Sequence, residues 1–74
     1  MSVEVKSEVV GTVWKILCQA GQHVHEGDEL ITLESMKMEI PVEARVSGVV
    51  GAILAQEGQP VEEGQVIATI EQEQ

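Results

Sequence analysis

Ser-Met-Lys-Met-Glu, residues 35–39, joins two copies of one sequence. Residues 3–34 align with residues 40–71 at a constant offset of 37 and without a gap, and 14 of the 32 aligned pairs are identical. The five connecting residues have no counterpart in the repeat, and Lys37 stands at their centre. This arrangement predicts a duplicated fold that presents one lysine at the point where the two halves meet.

Short apolar runs separated by glycines predict an all-β fold. One half is too small to bury its apolar face alone. We therefore expect a flattened β-barrel or sandwich (a barrel-sandwich hybrid) of two four-stranded antiparallel sheets with an internal pseudo-twofold repeat. Residues 1–74 are expected to form a single domain. We expect roughly four short strands in each half. The strands that can be placed are residues 3–5 and 40–42, 12–17 and 49–54, and 30–34 and 66–71, with glycine-bounded turns at 20–27 and 57–64.

The residues around Lys37 predict a tight hairpin. Side chains alternate between the faces of a strand and directly paired residues share a face, so pairing Leu33 with Ile40 places both inside. This register leaves Met36 and Lys37 as a two-residue loop, and the other register that keeps the lysine in the loop leaves Lys37 and Met38. Both central residues of such a loop need positive φ, which Met-Lys does not favour. A local rule broken at one place often marks a functional site.

Composition excludes several classes of partner. The formal net charge is −9, which disfavours binding to nucleic acid or to an anionic membrane surface. No apolar run approaches the roughly 20 residues that span a bilayer, and the first 20 residues lack the pattern of a signal peptide. Cys18 is the only cysteine, so no internal disulfide can form. We expect a cytoplasmic protein that binds neither nucleic acid nor membrane.

The segment 34–39 resembles the biotin-acceptor motif of biotinyl domains, in which Ala-Met-Lys-Met is the usual sequence and Ser35 here replaces the alanine. The resemblance covers nearly the whole chain, because it includes the matched halves, the Gly-x-x-Val-x-x-Gly turns and the central hairpin. The chain is similar to freestanding biotin/lipoyl attachment proteins and to carrier domains of biotin-dependent carboxylases. The resemblance implies Lys37 as the covalent attachment point for biotin, Met36 and Met38 as residues that the ligase recognises, and Glu34 and Ser35 as the hairpin context.

The resemblance also implies the partners. A biotin protein ligase attaches the cofactor, a biotin carboxylase loads a carboxyl group onto it, and a carboxyltransferase moves that group to an acceptor. The chain is then a non-catalytic carrier and not an enzyme. Several carrier domains of acetyl-CoA carboxylase have an inserted thumb that covers the biotin. The repeat here has no gap, so we expect no thumb and a biotin that stands free of its own domain.

The same hairpin is compatible with functions other than biotin carriage. A lipoyl carrier shares the fold and would carry lipoate on the same lysine, although its motif is usually Asp-Lys-Ala. An unmodified hairpin that acts as an interaction module is the third possibility. A stand-alone enzyme has little support, because no nucleophile–base set or phosphate loop is apparent. No third histidine accompanies His23 and His25, and the repeat has Pro60 and Glu62 in their places, so we predict no metal site there.

Overall fold

The predicted apolar runs all form strands in the computed structural model, which describes residues 1–72 and contains no helix in that range. Each long strand extends to or near the predicted limits, and each glycine-bounded turn also contains a strand of two residues. Among these residues no helix is long and apolar enough to cross a membrane. The strands are β1 (Ser2–Lys6), β2 (Gly11–Ile16), β3 (His23–Val24), β4 (Glu29–Ser35), β5 (Met38–Glu43), β6 (Gly48–Ile53), β7 (Pro60–Val61) and β8 (Val66–Gln72).

The strands form two four-stranded antiparallel sheets, in the orders β1-β8-β6-β3 and β5-β4-β2-β7. Replacing each strand by its repeat partner converts one order into the other, which confirms the predicted all-β fold and its internal symmetry. Each sheet takes two strands from each half of the chain. The halves therefore interlock, so neither half forms a sheet of its own. Pro41 lies in β5, an edge strand, where its missing N–H leaves no ladder bond unmade.

The core lies between the two sheets and follows the repeat. Its largest members come from the central strands β4 and β8, where side chains are removed from water almost completely. Full burial of such a side chain contributes about 1.5–3 kcal/mol. Cys18 is also buried, as is its repeat partner Ala55, and burial raises the pKa of the Cys18 thiol. Equivalent buried residues are Leu30 and Ile67, Ile31 and Ala68, Leu33 and Ile70, Val13 and Val50, and Val24 and Val61.

Two equivalent turns attach each half to the other. Gly21 has a φ of 88° and donates its amide to the Val50 carbonyl at 2.7 Å, while Gly58 has a φ of 87° and donates to the Val13 carbonyl at the same distance. Glycine reaches this left-handed region at no steric cost. These bonds join each turn to a strand of the opposite half within the same sheet, so they tie the two halves of the chain together.

Trp14 breaks the symmetry, because its repeat partner is Gly51. The indole of Trp14 is 45% exposed and lies beside an irregularity in the β2–β4 pairing. The Lys15 ammonium lies 5.0 Å from the centre of its ring. An aromatic ring with a cation over its face can stay at the surface because it keeps a partner there.

Candidate modification site at the central hairpin

Met36 and Lys37 form the two-residue loop between β4 and β5. Leu33 pairs with Ile40 and Ser35 pairs with Met38, which is the first of the two predicted registers. The φ angles of Met36 and Lys37 are 52° and 66°, so both central residues adopt the left-handed conformation that a hairpin of this length requires. The left-handed region is unfavourable for such residues, at roughly 1–2 kcal/mol each. The fold therefore places these two side chains at a tip that their own backbone preferences disfavour.

The loop presents exposed side chains on both sides of the lysine. Lys37 is exposed, Met36 is 92% exposed and Met38 is 63% exposed. Met36 does not fold back onto the sheet. Met38 lies on the same face of β5 as Ile40, but it lies beyond the end of the core and therefore stays exposed. Two exposed methionines beside one lysine form an apolar surface suited to contact with another protein.

The base of the hairpin is fixed to the segment that connects β1 and β2. The Ser35 hydroxyl donates a hydrogen bond to the Val10 carbonyl at 2.8 Å. The backbone of Gly11 lies so close to that of Glu34 that a Cβ at Gly11 would be 2.6 Å from the Glu34 carbonyl oxygen. A hydrogen bond of this kind contributes about 1 kcal/mol. These contacts make the base of the hairpin firm while its tip stays in solvent.

Sequence reasoning missed both parts of this attachment. The identity of Gly11 and Gly48 across the repeat was a usable signal, because a Cβ at Gly48 would likewise collide with the Glu71 carbonyl oxygen. The Ser35–Val10 bond had no such signal, since Gln72 and Ser47 occupy the equivalent positions.

Acidic side chains flank the tip. Glu34 and Glu39 are exposed and stand directly opposite each other in the β4–β5 ladder. Like charges in that arrangement repel. The equivalent pair in the other sheet, Glu71 and Ser2, has only one carboxylate and therefore no such repulsion. Lys37 makes no ion pair with any described residue. The amine is thus accessible, with negative charge close on both strands below it.

The other two lysines are placed differently. Lys6 lies on β1 with its ammonium 4.0 Å from Glu4, and Lys15 lies on β2 over Trp14. Both are exposed, but each projects from a strand in contact with a neighbour. Of the three lysines, Lys37 alone occupies a turn between strands.

The two histidines lie away from the hairpin, in the β3 turn. Both are exposed, their ring centres are 5.1 Å apart, and the Nδ1 atom of His25 lies 3.9 Å from Asp28. Within residues 1–72 no three His, Cys, Asp or Glu side chains are grouped so as to hold a metal ion.

Curated relatives match about half of the chain. A "Biotinylated protein TB7.3 homolog" of Mycolicibacterium smegmatis is 46% identical over 41 residues, which are 55% of this chain and 58% of that protein. The "Biotin/lipoyl attachment protein" of Bacillus subtilis is 46% identical over 37 residues, which are 50% of this chain and 51% of that protein. The chain therefore spans little more than half the length of the curated relatives it matches.

Solved structures match nearly all of it. In the urea carboxylase of Kluyveromyces lactis, a segment 39% identical to this chain superposes with a TM-score of 0.91 over 96% of this chain and 6% of that one. A single-chain, multi-domain long-chain acyl-CoA carboxylase contains the same fold, with a TM-score of 0.92 at 24% identity, over 97% of this chain and 7% of that one.

The family model described as "Biotin-requiring enzyme" matches residues 1–70. The match covers the first half of the repeat, the whole hairpin and all but the last residue of the second half. The chain therefore belongs to the biotin/lipoyl attachment family.

Proposed function

We propose that this chain is a biotin carrier. Biotin is joined by an amide bond to the Nζ atom of Lys37, and the loaded chain moves a carboxyl group between the biotin carboxylase and the carboxyltransferase of a biotin-dependent carboxylase. The single observation that carries the proposal is the exposed Lys37 at the tip of a strained two-residue hairpin between matched halves.

The comparisons support the kind of cofactor and the kind of partner. The family is described as biotin-requiring, and the mycobacterial relatives are named as biotinylated proteins. The matched segment of the urea carboxylase forms a small part of a much larger carboxylase. A chain that resembles such a segment is suited to work with carboxylase domains or subunits.

The geometry suits acylation of the amine. At neutral pH a lysine is an ammonium ion, which must lose a proton before its nitrogen can attack an acyl carbon. A ligase that supplies biotin as an acyl-adenylate accepts this proton when the amide forms and AMP leaves. Lys37 can enter such an active site because it stands at a tip, and Met36 and Met38 supply the apolar surface by which the ligase selects it.

The same geometry suits carriage. The firm base set by Ser35 and Gly11 fixes where the side chain begins, while the lysine and the biotin arm remain flexible. A tether of this kind raises the local concentration of the ring at each partner site. In this proposal the chain supplies position, and the partners supply the catalytic groups.

The test is intact mass after incubation with a biotin protein ligase, biotin and ATP. The wild-type chain should gain the mass of one biotinyl group, and Lys37→Ala should gain none. Lys15→Ala, which removes a lysine from a strand, should be modified like the wild type.

Modification of Lys37→Ala would show that biotin is attached to a residue other than Lys37. An unmodified wild type would contradict the proposal. A parallel incubation with a lipoate ligase distinguishes lipoyl carriage, and no adduct with either ligase would favour an unmodified interaction module.

A further inference from the structure

A cavity of about 190 Å³ lies between the β1–β2 connection and the edge strand β5. Its apolar lining comes from Val9 on one side and from Leu33, Ile40, Pro41, Val42 and Ala44 on the other. It is smaller than the roughly 300–1,000 Å³ of pockets that enclose a drug-sized ligand. Its size therefore suits one small ring system. We call it the β5 groove.

The rim of the β5 groove is electrically balanced in a strongly acidic chain. Two cations, Lys6 and Arg45, and two carboxylates, Glu8 and Glu43, border it, although the whole chain has a net charge of −9. Arg45 forms an ion pair with Glu8, which is its own repeat partner, so the pair joins equivalent positions of the two halves. This rim offers both hydrogen-bond donors and acceptors to a neutral polar group.

The β5 groove starts close to the hairpin. Ile40 follows Lys37 by three residues along β5, which is about 10 Å at the rise of an antiparallel strand. A group on the end of the extended Lys37 side chain can fold back along the inner edge of β5 to reach it. Because the tether holds such a group at an effective concentration of about a millimolar or more, weak affinity suffices for occupancy.

We infer that the β5 groove receives the bicyclic ring of the biotinyl group carried by Lys37, an inference that rests on the proposed function. The thioether side of the ring packs on Val9, Ile40 and Val42, and the ureido N–H and C=O groups face the charged rim. The ring then rests on its own domain and leaves it to enter a partner. This differs from the free-standing biotin expected from the absence of a thumb.

The test compares amide chemical shifts of the unmodified and the biotinylated full chain, after intact mass has shown that biotin is attached. Docking should change the shifts of Val9, Val42 and Ala44 as well as those of residues 35–39. Val9→Phe fills the β5 groove and should confine the changes to residues 35–39. Val46→Phe is the matched control, because Val46 is the repeat partner of Val9, is likewise partly buried against the core, and does not line the groove. It should keep the long-range changes.

A second measurement does not depend on either variant folding. Free biotin methyl ester added to unmodified wild-type protein should shift the same groove residues with a dissociation constant in the millimolar range. Shift changes confined to residues 35–39 in the biotinylated wild type would overturn the inference while leaving biotin carriage intact. Failure to gain the biotinyl mass would instead contradict the proposed function.

Discussion

Met36 and Lys37 adopt positive φ angles that neither residue favours, and their side chains gain nothing from the core in return. Met36 is 92% exposed, so its apolar surface does not stabilise the folded chain. Selection for stability alone would place Asn or Gly here. The unfavourable backbone conformation therefore indicates a role in contact with another protein. Substitutions can separate the effect of these residues on stability from their effect on that contact.

Met36→Asn should stabilise the fold and weaken biotinylation. Asn tolerates the left-handed region, so the free energy of unfolding should rise by about 0.5–1 kcal/mol. The same change removes the thioether that we propose the ligase contacts, so kcat/KM for biotinylation should fall several-fold. Denaturant midpoints and initial rates of mass gain measure the two effects.

Met38→Asn is the matched control for this pair of effects. Met38 is also exposed but lies in extended β5, so the substitution relieves no positive φ. It should lower the biotinylation rate without raising stability. A Met36→Asn variant no more stable than Met38→Asn would show that the turn is not strained at this residue.

At the scale of elements, the start of β2 determines where the hairpin stands. Gly11 allows β2 to approach the end of β4, and the Ser35–Val10 hydrogen bond holds the preceding segment to the same place. The hairpin is thus fixed by a neighbour that lies 25 residues earlier in the chain than Ser35.

Gly11→Ala should lower the free energy of unfolding by about 1–3 kcal/mol, as overpacking does where the obstacle cannot move. The new Cβ would meet the Glu34 carbonyl oxygen at 2.6 Å, and a backbone atom in a paired strand has little freedom to shift. Thermal or denaturant unfolding of the full chain measures the loss.

Gly51→Ala provides the comparison, because its Cβ would meet the Thr69 hydroxyl at 2.9 Å, and a side chain can rotate away. It should therefore cost clearly less than Gly11→Ala. Equal losses at the two positions would mean that the close approach of β2 to β4 is not what makes Gly11 necessary.

The elements that the sequence could predict are those with a periodic signal. The alternation of apolar and polar residues, together with the gapless repeat, was enough to predict the strands and the pairing of Leu33 with Ile40. The sharing of each sheet between the halves could not be read in this way, because one half-sequence does not say whether it pairs with itself or with its copy. The exposure of Trp14 and Met38 could not be predicted for a related reason: alternation assigns a side chain to one face of a strand, but it does not show whether the core extends to that position.

Over the whole molecule, the interlocked halves bury their apolar residues between two sheets and leave thirteen Asp and Glu on a chain with four Lys and Arg. Among residues 1–72, few of these carboxylates have a cationic partner. Glu8 pairs with Arg45 and Glu4 lies near Lys6, while Glu34 and Glu39 face each other. The surface therefore repels itself, and biotinylation of Lys37 would remove one of the four cations.

Raising the ionic strength should accordingly stabilise the fold. Increasing salt from about 0.01 M to about 0.15 M shortens the Debye length from roughly 30 Å to roughly 8 Å, so it screens repulsion across a domain of this size. Since about 1 kcal/mol shifts the Tm of a small domain by roughly 4–8 °C, a rise of a few degrees is expected. Thermal unfolding at fixed pH measures this increase in Tm.

Glu63→Gln, which removes one exposed carboxylate, should reduce the increase in Tm with salt, and biotinylation of the chain should enlarge it. A Tm that falls with salt would show that attractive pairs such as Arg45–Glu8 outweigh the net charge.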